Sequence, residues 1–423
     1  MPAASAFAFD PSDANRIYMR TTFGLLVAAD QGHTWDWICE RSLGSIGPED
    51  PTVGVFADGT LAATLTEGLS VTHDHACTFG LQGGDLANRI FVDLAVRKSA
   101  PSSAVAVSSG YALMVDDAGN PLFSSQVFVT INNGATWSAR GAALDPTLLV
   151  ETIDWSDADP NRMYISAARG VGTTPSGVIL ESDDAGKTWA EHAVDLITPA
   201  ERAPFIAALD PKNADVLYVR TGGTITSPSR LLVSKDAGKS WTKALAITGP
   251  MLGFALSDDG AKIFAGGPLD GIYQASTSAL SFTKKNALPV QCLASHGSDL
   301  WACSDEFSGF TAGVSHDDGT TFEPRLHLRD VRGPLACPSG TPTSQLCTTD
   351  WPNQEVLLGI ISGASLDAGA DASSEAPFVT TGGCSTEPAN GSLAISACLM
   401  MGVFGGLFFA VRARRRRGPW QRQ

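Results

Sequence analysis

An eight-residue pattern recurs seven times along this chain, and it restricts the fold more than any other feature. Its clearest copy is Ser182-Asp183-Asp184-Ala185-Gly186-Lys187-Thr188-Trp189. Residues 234–241 read SKDAGKSW, 315–322 SHDDGTTF, 130–137 TINNGATW and 28–35 AADQGHTW; 72–79 (THDHACTF) and 275–282 (ASTSALSF) are decayed copies. Start-to-start spacings are 44, 58, 52, 52, 41 and 40. The third position holds Asp30, Asp74, Asp184, Asp236 or Asp317, with Asn132 as a stand-in, residues that accept backbone N–H groups of their own turn. Glycine at the fifth position (Gly32, Gly134, Gly186, Gly238, Gly319) permits positive φ cheaply. The seventh is Ser or Thr throughout. The eighth is Trp35, Phe79, Trp137, Trp189, Trp241, Phe282 or Phe322, a ring to be buried beside a hairpin.

A second echo fixes the phase. Asp10-Pro11 before Ile17-Tyr18, Asp159-Pro160 before Met163-Tyr164 and Asp210-Pro211 before Leu217-Tyr218 each precede a copy and read as a first-to-second strand hairpin. Arg20 and Arg220 stand at equivalent places after their tyrosines, as repeat consensus; Tyr273 is read as another such strand tyrosine, and Tyr111 is unplaced. Units of roughly 48 residues suit four-stranded blades, whose radial repetition leaves only short sheet edges. The expected fold is therefore all-β, a seven-bladed propeller over residues 1–335. The 58-residue interval is expected to hold an insertion near residues 81–100.

The octapeptides resemble the Asp-box, or BNR, repeat of sialidases, sortilin-type receptors and related β-propellers, over about residues 6–330. The resemblance implies that each copy is the turn between the third and fourth strands of a blade. It also implies a ligand face on the opposite side, built from the turns joining strands two and three and the links between blades. Candidates there are Asp116, Asp117, Phe123, Arg169, Asp270, Asp305, Glu306, Phe307 and Phe310, acidic and aromatic side chains that suit a sugar or a basic peptide. Sialidase chemistry would need three arginines around a carboxylate, a Tyr nucleophile with its Glu, and a general acid. Tyr18, Tyr164, Tyr218 and Tyr273, with Arg20 and Arg220, are read as repeat positions, and the Arg-Ile-Pro signature of that family is absent. No catalytic, cofactor or metal residue is assigned. Gly186-Lys187-Thr188 and Gly238-Lys239-Ser240 lack the glycine that a phosphate loop needs five residues earlier, and His73 and His75 lack further zinc ligands.

The ends carry different information. Residues 336–360 read as a Cys-containing closing segment, and 361–392 as a flexible stalk rich in Ala, Ser, Gly and Asp. Nineteen uncharged residues, 393–411, are long enough to span a membrane as a helix, and the tail 412–423 is rich in arginine. The positive-inside rule places that tail in the cytoplasm. The order Gly383-Cys384-Ser385, polar spacer, apolar span and arginine cluster resembles the C-terminal sorting tail of myxobacterial surface proteins. It implies processing or lipid attachment at Cys384 and a body on the outer or periplasmic side of the envelope. Such a body needs an export signal, which residues 1–10 do not supply and which is expected upstream.

Eight cysteines, less Cys384 and Cys398, leave six. Sequence proximity pairs Cys292 with Cys303, Cys337 with Cys347, and Cys39 with Cys77, as an oxidising compartment permits; six buried thiols are the alternative. The net charge is −15, and with six arginines in the last twelve residues the remainder carries −21. A body so acidic excludes nucleic acid as a partner, because affinity there rests on cations at phosphates. The expected function is a non-enzymatic surface binding or adhesion module for a glycan or protein, anchored by the C-terminal helix or a lipid. A glycoside hydrolase and a structural envelope protein are the alternatives.

Overall fold

The computed structural model describes residues 2–360 except Pro48, 172–173, 198–199 and 223–227. The stalk, Cys384, the apolar span and the arginine tail lie outside the described residues. Among those described, no helix is long and apolar enough to cross a membrane.

Seven four-stranded antiparallel sheets follow one another along the chain, each built from consecutive strands. Blade 1 covers residues 4–38, blade 2 53–81, blade 3 91–140, blade 4 148–194, blade 5 204–247, blade 6 253–286 and blade 7 292–326. First strands of neighbouring blades, including blades 7 and 1, touch around the axis. Seven buried apolar clusters fill the seven seams between blades. A single blade has two apolar faces and no partner for either; the ring supplies one on each side. The fold is a seven-bladed propeller.

All seven octapeptides occupy the turn between third and fourth strands. In blade 4 one Asp184 oxygen accepts from the Lys187 and Thr188 N–H groups, each at 2.9 Å, and the other from the Thr188 hydroxyl at 2.7 Å. The Ser182 hydroxyl donates to Asp184 and accepts from Gly186 N–H, both at 2.8 Å. These bonds explain the Ser/Thr at positions one and seven. Two successive residues take positive φ, Ala185 at 58° and Gly186 at 84°, so the fourth position is also left-handed. In blade 2 the glycine position is Ala76 at φ 72°, whereas in blade 6 the positive φ falls on Leu280, a different turn.

The Asp-Pro hairpins lie between first and second strands, as their echo implied. Two expectations need correction. Tyr273 lies on the third strand of blade 6 (Gly271–Ser276), because that blade's second strand carries Phe264 instead. The extra length of blade 3 lies chiefly in its central hairpin, strands Ala104–Val115 and Pro121–Thr130, whose twelve and ten residues exceed their counterparts elsewhere. The segment 81–100 holds a short 3₁₀ turn (Gly84–Leu86) and that blade's whole first strand (Phe91–Val96).

Closure uses no shared strand. Residues after blade 7 run beside the outer strand of blade 1: Trp37 N–H donates to Gly333 O at 2.7 Å and Leu335 N–H to Trp37 O at 2.8 Å. A helix, α1 (Pro342–Leu357), then packs on the outside of blade 1, where Trp351 meets Trp37 at 5.6 Å. Disulfides hold this strap: Cys39–Cys347 and Cys77–Cys337, with Cys292–Cys303 inside blade 7. The hairpin pair Cys292–Cys303 is as expected. Cys39–Cys77 and Cys337–Cys347 do not form, because the chain end folds back across blades 1 and 2 and brings distant cysteines together.

Candidate functional site

Antiparallel blades give the disc two unlike faces. One bears the first-to-second turns and the octapeptide turns; the other bears the second-to-third turns and the links between blades. The first is tied shut across the axis. Lys98 Nζ of blade 3 reaches Asp258 of blade 6 at 3.3 Å, and the other Asp258 oxygen accepts from Gly297 N–H of blade 7 at 2.8 Å. Asp157 accepts from Ser99 N–H at 2.7 Å, and Phe9 stacks on His296 at 4.2 Å.

Inside the ring lies a cavity of about 160 Å³ lined by Ser5, Phe7, Ile206, Arg220, Leu252 and Phe254, among others. Irregular register in the first strands of blades 1, 4 and 5 leaves Ser5, Glu151 and Ala207 without a ladder partner. Such bulges re-aim a side chain, and Ser5 and Ala207 line the cavity. Arg20 donates to the Ser5 hydroxyl at 2.8 Å and pairs with Asp50 at 2.7 Å.

Three carboxyl groups sit on the inner strands of blades 3 and 4. Burial alone pushes Glu151 up to about 7. Burial, then repulsion from Asp93 and Asp157, pushes Asp154 up to about 7. Burial pushes Asp93 up to about 6 against the opposing hydrogen bond from Ile153 N–H. Acids raised in the folded state contribute no penalty below their unfolded values and cost stability as pH rises through the folded ones. The octapeptide aspartates act oppositely: the Ser240 hydroxyl holds Asp236 at about 2, and the Thr321 N–H holds Asp317 at about 2. Their contribution is lost as pH falls below the ordinary value of about 4. The thermal midpoint should therefore peak near pH 4–5 and fall on both sides. Glu151→Gln should raise it at pH 8 and leave it unchanged at pH 4; a wild-type midpoint still climbing at pH 8 in scanning fluorimetry contradicts this assignment.

Seven of the nine face residues named from sequence make contacts within the fold. Asp116 caps the blade 3 hairpin turn, accepting from Asn120 N–H at 2.7 Å. Asp270 accepts from Thr248 N–H at 2.9 Å, and Glu306 from the Thr311 hydroxyl at 2.6 Å and Leu328 N–H at 3.2 Å. Asp305 holds the Ser308 hydroxyl at 2.7 Å. Arg169 bridges Asp145 and Glu191, each at 3.0 Å. Phe123 and Phe310 are buried beside Tyr111 and Phe322. Asp117 and Phe307 remain exposed. Arg220, Glu151 and Asp93 were not singled out by sequence. Arg220 was legible only as repeat consensus, and nothing local marks the bulge at Glu151. Among the described residues, no cluster of three or more His, Cys, Asp or Glu could hold a metal ion.

No protein-family model matches the sequence, and no curated protein matches it. Solved structures do resemble the fold. An ancestral GH74 enzyme superposes with a TM-score of 0.55 at 12% identity, covering 76% of this chain and 46% of that one. The GH74 xyloglucanase from Xanthomonas campestris gives 0.38 at 13%, over 75% of this chain and 63% of that one. The GH74 enzyme of Niastella koreensis gives 0.30 at 14%, over 76% and 71%. The chain spans less than half the length of the first. At 12% identity the likeness to the ancestral GH74 enzyme carries the architecture alone: a seven-bladed propeller of four-stranded blades, similar to a GH74 propeller.

Proposed function

We propose that this chain is a non-enzymatic binding module of the Asp-box class, held at the cell envelope by its C-terminal segment. It presents the face opposite the octapeptide turns to a glycan or protein ligand. The observation that supports this most is the blade 3 hairpin. At its end Leu113 is 95% exposed, Met114 64% and Val115 63%, beside a half-exposed Tyr111. Contiguous exposed apolar side chains on a soluble body mark interaction sites more often than chance. Leu113 also takes φ 56°, a conformation that costs a non-glycine residue about 1 kcal/mol. The anchoring part of the reading rests on Cys384, the apolar run 393–411 and the arginines after it.

One observation favours a hydrolase instead. Carboxyl groups at about 7, as for Glu151 and Asp154, are poised as general acids require. The purified protein should give no turnover on fluorogenic glycosides or xyloglucan. On a glycan and protein array its retention should fall about tenfold, or 1.4 kcal/mol, in the variant Leu113→Asp. Turnover abolished by Glu151→Gln would replace the proposal with the hydrolase.

A further inference from the structure

Arg220 is anomalous among the arginines inside the ring. Its Nη1 donates to the Met251 and Leu252 carbonyls at 2.8 and 3.1 Å, and its guanidinium lies 5.9 Å from the Phe205 ring centroid. Among the described residues, no carboxylate comes within ion-pair distance and no acceptor meets its Nε or Nη2. Neither nitrogen is sealed in the interior. Arg20, by contrast, is paired with Asp50. A half-buried cation whose contacts are all neutral is unfavourable. Burial, and then repulsion from Arg20, lower its pKa against an opposing pull from Asp93.

Arg220 also lines the cavity, together with the apolar side chains of Phe7, Ile206, Leu252, Phe254 and Leu293 and the polar Ser5. The Nε and Nη2 hydrogens of an arginine lie parallel, the geometry that accepts both oxygens of one carboxylate. The cavity's 160 Å³ amounts to about five waters' share of liquid volume, room for a small ring or branched chain but not for a sugar polymer.

We propose that Arg220 and the cavity beside it form a binding site for a small organic monocarboxylate, its charge on Nε and Nη2 and its apolar part among Phe7, Ile206 and Phe254. This site is separate from the glycan- or protein-binding face of the preceding subsection and goes beyond that reading. A phosphate or sulfate would find one guanidinium and no second cation among the lining residues, and is disfavoured on that ground.

Titration calorimetry of the purified full chain tests the site with sodium benzoate, benzyl alcohol and inorganic phosphate as probes. Benzoate should bind saturably with a dissociation constant around 1 mM, the range open to a ligand of about nine heavy atoms. Benzyl alcohol and phosphate should bind at least tenfold more weakly. Arg220→Met and, separately, Ala207→Leu, which fills the cavity and keeps the arginine, should each weaken benzoate at least tenfold. Should Arg220→Met fail to fold, Ala207→Leu carries the test. Absence of saturable benzoate binding, equal affinity for phosphate or the alcohol, or indifference to Ala207→Leu overturns the site. If array retention still falls in Leu113→Asp, only the carboxylate site is lost and the module stands. Glycoside turnover would strike at the module itself.

Discussion

Removing both long disulfides, by changing Cys39, Cys77, Cys337 and Cys347 to alanine, is expected to lower the unfolding free energy by about 5 kcal/mol or more. Removing Cys292–Cys303 should cost about 2–3 kcal/mol. The difference follows from chain entropy. Cys39–Cys347 and Cys77–Cys337 join residues 308 and 260 apart, whereas Cys292–Cys303 spans 11 and bridges strands already paired. In the absence of a shared strand, those two crosslinks, the backbone bonds around Trp37 and the blade 7–blade 1 seam are what restrain the ring from opening. Urea unfolding of oxidised variants measures both costs. With stabilities of domains generally about 5–15 kcal/mol, the four-fold variant should sit near unfolding at physiological temperature. A larger loss from the short disulfide than from the two long ones would refute the strap's role.

Trp35→Ala should cost about 3–5 kcal/mol, the largest effect of any single octapeptide ring. Six of the seven rings are half-buried, but Trp35 is 1% exposed. It lies at the closing seam, where its Nε1–H bonds Gly32 O and, from blade 7, Arg325 O, both at 3.0 Å. Truncation opens a cavity in the core that contains Trp301 and Met19, and it strips two carbonyls of a donor. Trp189 provides the comparison: it is half-buried in blade 4 and its Nε1 has no partner. Trp189→Ala should cost about half as much. Equal losses in matched thermal and urea melts would mean that closure places no special demand on Trp35.

Blade number and phase were legible because the turn chemistry is local. Asp184 is satisfied by residues at most four positions away, so spacing alone carries the message. The Cys292–Cys303 hairpin was legible for the same reason. The strap pairings were not: assigning Cys39 to Cys77 by proximity presumes that the chain end stays near its own neighbours, and the return of residues 331–347 across blades 1 and 2 is decided by long-range packing.

The candidate face divides along the same line. Acidic residues in loops were read as available to a ligand, yet Asp116, Asp270 and Glu306 are held by nearby backbone N–H groups that folding would otherwise leave unpaired. Whether a loop carboxylate is free depends on the bends around it, which composition does not specify. Arg20 and Arg220 are equivalent in the repeat, but one meets Asp50 and the other no carboxylate among the described residues. Bonds within one turn are written in adjacent residues, so the sequence alone determined the turns, the blades and their number. Electrostatic complementarity within the ring is set by groups from different blades, so only the tertiary structure decided which charge was left unmatched.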